Sequence, residues 1–372
     1  MPGMSAPGAE SLSAHPPPRL FQRLHTTISA AGGWLGFDAF MGMALYEPGL
    51  GYYARGIPLF GTMPGSGSDF VTAPEMSPFF GRTLARQVAQ ALQATGTHEV
   101  LEFGAGSGAL AEHLLDALGD AVRRYTIVDL SGTLRERQAA RLARFAPRVR
   151  WLDAWPEVIE AVVVGNEVLD AMPVQLLHCD GRQWLERGVV CDGETFFWAD
   201  RPTEQRPPAE IALVAGTVTE IHPQAEAFVR SLAERLQRGA AFFIDYGFPE
   251  AEYYHPQRTG GTLMCHRAHL ADADPLVHVG EKDITSHVNF SAIALAGQDA
   301  GLQVLGYTSQ ARFLLNCGLL DLLQGADIRQ VAMAQKLIAE HEMGELFKVL
   351  AFVKGDDFGA IGFTAGDRSH TL

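Results

Sequence analysis

A chain of 372 residues with 47% hydrophobic and 19% charged residues has the apolar content to fill a large packed core plus a substantial second lobe. Its formal charge of −14 argues against a nucleic-acid backbone as the main partner, because phosphate recognition needs clustered Lys and Arg. No stretch approaches the roughly 20 apolar residues of a membrane-crossing helix or a secretory core, and the scattered Cys179, Cys191, Cys265 and Cys317 suit a reducing compartment, so a cytoplasmic protein with no membrane insertion is expected.

Residues 1–18, rich in Pro, Ala, Ser and Gly, read as a disordered leader. Residues 19–95 are mostly helical in pattern and are expected to form an N-terminal lid lobe. Within them Phe37, Phe40, Met41 and Leu45 have helical spacing, and Tyr46-Glu47-Pro48-Gly49-Leu50-Gly51-Tyr52-Tyr53 is a turn. A glycine-rich loop at 61–68 leads to Asp69-Phe70-Val71-Thr72-Ala73-Pro74-Glu75, and a helix resumes over 77–94.

The apolar run Val100, Leu101, Phe103 then feeds directly into three alternating glycines, Gly104, Gly106 and Gly108, with Ala105 between the first two. Leu110, Leu114, Leu115 and Leu118 follow at helical spacing. A strand, a tight turn and a helix N-terminus let backbone amides approach a nucleotide-like ligand. Further strands are expected at 125–129, 149–153, 161–164 and 241–245, with an Arg-rich helix at 134–145 and another helix at 223–237. The Arg-rich run from Arg123 to Arg150 reads as solvated helix faces.

Short alternating stretches with Gly turns make 176–222 a β-rich insertion. It separates a first core half, 96–175, from a second, 223–355, which carries late strands at 303–307 and 347–353. Residues 356–372 read as a flexible tail. Strand–helix alternation implies an α/β fold with a doubly wound, mostly parallel sheet, which binds ligands at the carboxyl ends of its strands.

The glycine loop by itself admits three readings. Gly104-x-Gly106-x-x-Ala109, with Asp129 about 20 residues on, satisfies a dinucleotide fingerprint. Ala105-Gly106-Ser107-Gly108-Ala109 resembles a relaxed nucleophile elbow followed by Asp245 and His287. The third reading is a cradle for S-adenosylmethionine (AdoMet).

Acids at the strand ends favour the third. A hydrolase leaves Glu102, Asp129 and Asn166-Glu167 without a role, and a dehydrogenase leaves Glu102 unexplained. An AdoMet site employs Glu102 near the turn, Asp129 with Leu130 at the ribose, Asp153 with Ala154 at the adenine, and Asn166 near the transferred group. Methyl transfer is an in-line displacement that needs positioning in a desolvated, electronegative pocket. Glu167 and Asp170, three residues apart in a turn, can hold a planar cation such as guanidinium by paired charge-assisted hydrogen bonds. The histidines show no metal spacing: His341-Glu342 begins H-E-x-x-H, but position 345 is Glu345.

Six separated motifs in order resemble the MidA family, which includes mitochondrial complex I assembly-factor methyltransferases. They are Tyr46-Glu47-Pro48-x-x-Gly51-Tyr52-Tyr53, Asp69 through Glu75, Glu102-Phe103-Gly104-Ala105-Gly106-x-Gly108, Asn166-Glu167-x-x-Asp170-Ala171-x-Pro173-Val174, Asp245-Tyr246-Gly247 and Asp283-Ile284-Thr285-x-His287-Val288. The resemblance spans about 37–352. It implies a Rossmann-like class I AdoMet-dependent methyltransferase that releases S-adenosyl-L-homocysteine, with Thr72, Pro74 and Glu75 on the lid side of the site and His287 near the acceptor. It further implies a protein substrate, an arginine of a respiratory complex I subunit, because the mitochondrial member dimethylates one.

Two positions depart from the family pattern: Ser68 stands where Gly is usual and Asn289 where Asp is usual, the latter removing a carboxylate that would suit a cationic substrate. The expected activity is AdoMet-dependent methylation of a protein side chain, arginine leading. A small-molecule methyltransferase and an AdoMet-binding assembly factor are the alternatives, and oligomeric state is open.

Overall fold

A computed structural model describes residues 18–55, 72–129, 132–208, 211–267 and 270–372. The expected leader (but for Pro18), the 61–68 loop with Ser68, Asp69 to Val71 and Leu130 therefore lie outside the described residues.

The chain begins with α1 (Pro18–Ala30), the two-residue strand β1 (Leu35–Gly36), α2 (Phe37–Tyr46), the one-turn α3 (Ala73–Met76) and α4 (Pro78–Thr95). α4 starts where the Ser77 hydroxyl accepts the Phe79 N–H and Pro78 occupies the first turn. It stops at Gly96, whose left-handed backbone closes the helix. Alternation follows: β2 (Glu99–Phe103), α5 (Ala109–Leu118), β3 (Arg124–Val128), α6 (Gly132–Leu142), β4 (Val149–Leu152) and β5 (Ile159–Asn166).

Four antiparallel strands interrupt it, β6 (Gln175–Cys179), β7 (Trp184–Asp192), β8 (Thr195–Pro202) and β9 (Val218–Ile221). Then α7 (Pro223–Arg235) and β10 (Leu236–Phe248) restore the pattern. The rest comprises α8 (Glu250–Tyr253), β11 (Met264–Arg267), β12 (Leu270–Asp272), β13 (Asp283–Thr285), β14 (Val288–Asn289), α9 (Phe290–Asp299), β15 (Gln303–Ser309), α10 (Gln310–Asn316), α11 (Leu319–Leu322), α12 (Ile328–Ile338) and β16 (Phe347–Lys354).

The central sheet runs β15-β16-β10-β5-β2-β3-β4, all parallel except β16, which is antiparallel to both neighbours. This is the doubly wound α/β sheet that the sequence implies. Val162, Val163 and Val164 in β5 are fully buried, because α4 and α5 cover one face and α7 and α9 the other. Each such side chain contributes about 1.5–3 kcal/mol by leaving water. The chain order reverses between β2 and β5, so the loops after these strands diverge and leave a crevice at their carboxyl ends.

A second sheet, β1-β7-β6-β9 with β8 on β7, joins the strands of the 176–222 region to the N-terminal β1. The stretch expected as one N-terminal lobe is divided. Leu20, Leu24, Phe37, Phe40 and Met41 pack with Val189 and Phe196 of this second sheet, whereas Phe80, Leu84 and Val88 of α4 join the central core. Helical patterning reports an apolar face but not which sheet it covers.

The expected flexible tail is also corrected. Residues 356–372 are packed: Phe363 lies edge-on to Phe313 at 5.5 Å, Asn316 donates to the Gly362 and Ala365 carbonyls, and Asp367 accepts the Tyr307 N–H. One aromatic anchor and three polar ties fix a segment whose composition reads as loop.

Candidate active site

A cavity of about 1070 Å³ opens at the carboxyl ends of β2, β3, β4, β5 and β10. One end is formed by the glycine loop. Gly104, Gly106 and Gly108 have φ of 63°, 53° and 82°, the left-handed region open to glycine at little cost. A Cβ on Gly104 would sit 3.0 Å from Val168 Cγ2, so a side chain there would crowd the wall opposite.

The N-terminus of α5 follows immediately and presents its positive dipole end to the cavity. Gln138 of α6 locks this end. Its Nε2 donates to the Gly106 carbonyl and to Asp129 Oδ2, both at 2.9 Å, while Trp151 Nε1 donates to its Oε1. Glu102 is buried beneath, accepting 2.7 Å from the Tyr125 hydroxyl. Burial, with Asp129 nearby, raises its carboxyl to about 8, despite that hydrogen bond.

Of the cofactor residues expected from sequence, Thr72, Pro74, Glu102, Gly104, Ala105, Gly106, Asp129, Asp153, Ala154 and Asn166 all line this one cavity. Asp153 sits at its rim, 86% exposed and paired with Arg135 at 2.7 Å. Gly108 lies behind the wall, where a Cβ would meet Gln138 at 3.5 Å. Glu75 is not on the wall either: it accepts the Ser107 hydroxyl and an Arg141 N–H, and so ties α3 to the glycine loop.

That pairing removes the nucleophile-elbow reading. Ser107 is engaged by Glu75 and Arg141, and Asp245 Oδ2 accepts the backbone N–H groups of Val168, Leu169 and Asp170. No serine–histidine–aspartate relay connects them.

The other end gathers Asp38, Glu167, Asp170 and Asp283 with Tyr46, Tyr53, Tyr246, His266 and His287. Asp245 shapes its floor by holding the 168–170 turn. Glu167 takes a φ of 54°, uncommon for a non-glycine residue, and its Oε1 accepts from Asn166 Nδ2 at 2.8 Å. Asn166 Oδ1 and Asp170 Oδ1 are buried without hydrogen-bond partners among the described residues. Burial, reinforced by Asp170, pushes Glu167 to about 8; burial pushes Asp170 to about 6, although the Tyr246 hydroxyl bonds to it.

Tyr46 donates to the Ala171 carbonyl at 2.9 Å and stacks on Tyr53 at 5.5 Å, and the Tyr53 hydroxyl donates to Asp283 Oδ1 at 2.8 Å. Gly247 matters here: β14 pairs with β10 so closely that a Cβ on Gly247 would fall 2.1 Å from the Val288 carbonyl oxygen. This approach brings His287 to the cavity, stacked on Phe248 at 5.1 Å and edge-on to Tyr246 at 5.2 Å. Burial lowers His287 to about 4 and lowers His266 as well, so both imidazoles are neutral at neutral pH.

Among the described residues Arg235 is the single Lys or Arg on the cavity wall, over the Trp155 ring beside α7. Among the described residues the wall at the acceptor end is rich in carboxyl and hydroxyl oxygen and carries no Lys or Arg. Arg258 and Lys348 are set back against the Phe248 ring, an environment that suits a positively charged ligand.

Asn289 belongs elsewhere. It caps α9, accepting the Ala292 N–H at 3.2 Å, so the missing carboxylate at this position is a helix cap rather than a lost substrate contact. Sequence reasoning left Gln138, Tyr46, Tyr53, Tyr246 and Asp283 unassigned as site residues, although four of them stand in its own motifs. No helix of the described residues is long and apolar enough to cross a membrane, and none of their acidic, His and Cys groups cluster as a metal site.

The same fold occurs in known structures. Residues 83–308 match the Methyltransf_28 family of S-adenosyl-L-methionine-dependent methyltransferases. A crystal structure of a COG1565 superfamily member from Burkholderia thailandensis bound to S-adenosyl-homocysteine is 52% identical, covers 100% of both chains and gives a TM-score of 0.91. A native crystal structure of a COG1565 superfamily protein from Burkholderia thailandensis gives 0.88 at the same identity and coverage.

Among curated relatives, the protein arginine methyltransferase NDUFAF7 homolog, mitochondrial, of Caenorhabditis elegans is 25% identical over 384 aligned residues, covering 89% of this chain and 87% of that protein. The Homo sapiens protein arginine methyltransferase NDUFAF7, mitochondrial, is 26% identical over 366, covering 84% and 79%.

Proposed function

The chain belongs to the Methyltransf_28 family of S-adenosyl-L-methionine-dependent methyltransferases, and within it we propose that the acceptor is an arginine side chain of a protein. The carrying observation is the acceptor end itself, where Glu167, Asp170 and Asp283 converge with tyrosine hydroxyls and, among the described residues, no Lys or Arg lines the wall. A guanidinium matches paired carboxylates in planarity and charge.

The residues present fit the cofactor. The glycine loop and the α5 N-terminus would take its carboxylate, Asp129 the ribose hydroxyls, and Asp153 with Ala154 the adenine rim; the buried, unpartnered Asn166 Oδ1 is free to accept from an ammonium group. When bound, AdoMet supplies an electrophilic methyl group on a sulfonium. This chain's residues do the rest. Glu167 and Asp170 hold the guanidinium with one nitrogen toward the glycine loop, the tyrosines exclude water, and Glu167 takes the proton which that nitrogen gives up.

A respiratory complex I subunit is the partner that the family resemblance suggests, and the relatives' printed names support arginine as the residue. Four free cysteines support a reducing compartment, which we read as the cytoplasm; "mitochondrial" describes those relatives. The test uses labelled AdoMet in lysate from cells lacking this protein. Label should enter a polypeptide at arginine and vanish when that arginine is replaced by Lys. Label confined to small molecules would overturn the reading.

A further inference from the structure

Beneath His287 lies a buried polar cluster that the transfer itself does not use. Glu220, on β9 of the inserted sheet, has no exposed surface. Its Oε1 accepts the backbone N–H groups of Thr262 and Leu263 at 2.8 and 3.0 Å. Its Oε2 accepts the hydroxyls of Tyr253 and Thr262 at 2.8 and 3.2 Å. With its proton directed to Glu220, the Thr262 oxygen is left to accept the His287 N–H at 3.0 Å. On the other side of the same residue, His222 Nε2 lies 3.0 Å from the His287 carbonyl and donates to it. Burial depresses His222 to about 4, so the ring is neutral with its proton on Nε2.

Both backbone polar groups of His287 are therefore held by residues of the insertion and the segments packed on it, while its ring faces the cavity. The ring's Nδ1 is buried and makes no hydrogen bond among the described residues. A carboxylate satisfied this fully is rigid, and an imidazole must be placed to within a fraction of an ångström to meet an acceptor N–H.

We propose that Glu220, acting through Thr262, is a positioning residue that fixes His287 at the acceptor end, so that the inserted sheet is part of the acceptor site. This rests on the reading of that end as the arginine site.

Thr262→Val removes the hydroxyl link and keeps the side chain's shape; Thr262→Ser keeps the link. Full-length protein with ¹⁵N-labelled histidine gives a ring signature independent of activity. Expected for Thr262→Val are a shifted His287 ring resonance, kcat on an arginine peptide down about tenfold to a hundredfold, and an unchanged AdoMet dissociation constant by calorimetry. Thr262→Ser should restore the resonance and kcat, and Glu220→Gln should move the ring resonance in the same sense. An unmoved resonance in both Thr262→Val and Glu220→Gln overturns the relay, as does a Thr262→Ser variant no better than Thr262→Val. If wild type methylates no arginine peptide, the substrate reading fails, and the ring resonances still decide the relay.

Discussion

The two ends of the cavity are built in different ways. The cofactor end comes from consecutive strand–helix units: residues 102–109, the end of β3 and the end of β4, braced by Gln138. The acceptor end collects Tyr46, Tyr53, Glu167, Asp170, Tyr246, Asp283 and His287 from the first helix–turn, the crossover after β5, the end of β10 and the strands beyond the insertion. One end works through backbone geometry, which glycine and a helix terminus supply locally. The other works through carboxyl groups crowded together in a largely buried wall, where burial holds Glu167 near 8 and Asp170 near 6. Such crowding is unfavourable until a cation arrives, which makes the acceptor end the selective one.

The largest expected separation of the two ends comes from Glu167→Gln. Rate should fall about 10²–10³-fold, while AdoMet affinity by calorimetry stays within about twofold of wild type. Parallel loss of cofactor binding would mean that the ends are not independent. The converse is Asp129→Ala, which should weaken AdoMet about tenfold to a hundredfold and leave much of kcat at saturating cofactor. Loss of kcat without loss of affinity would place Asp129 in the wrong half.

Titration sharpens the contrast at intermediate size. Glu102 and Glu167 have folded values of about 8 and Asp170 about 6, all above the ordinary carboxyl range. For raised carboxyls the folded state binds protons more tightly. Their contribution is complete below the unfolded pKa and is lost as pH rises through the folded values. The buried His222 and His287, lowered to about 4, act in the opposite sense below about pH 6.5. The melting temperature of the cofactor-free protein should therefore fall between about pH 6.5 and pH 8.5, and Glu167→Gln should flatten part of that fall. In wild type, kcat/KM should rise with pH through about 8 as Glu167 ionises, a limb absent from the residual activity of Glu167→Gln. A pH-independent melting temperature would contradict the burial argument.

Asp153→Ala should do least. The side chain is 86% exposed and its partner is a surface Arg135, so an effect below about threefold on AdoMet affinity is expected. A tenfold loss would show that the rim closes over the cofactor.

Local patterning made most of the fold readable. The fully apolar 161–164 run, the glycine turn and the leucines of α5 have one low-energy solution, a buried parallel strand feeding a helix, and the strand-end acids Glu102, Asp129 and Glu167 followed from it. The partner sheet of α1 and α2 was not readable, because an amphipathic face fits any apolar surface. The packed 356–372 segment was missed because its order depends on distant partners, Phe313 and Asn316. Gln138, Tyr53 and Asp283 escaped assignment for a related reason: each becomes a site residue through where its neighbours stand, and none carries a distinctive spacing.

By itself, then, the sequence determined the parallel α/β sheet, the glycine cradle and the class of cofactor, since φ preferences and hydrophobic periodicity act over a few residues. Only the tertiary structure decided how the two ends are braced: the Glu75–Ser107 tie at the glycine loop, and, at the acceptor end, the Asp245-held turn under Glu167 and the Glu220–Thr262 support of His287. Those depend on which remote segments are buried together, and burial sets both the geometry and the protonation of the groups that meet there.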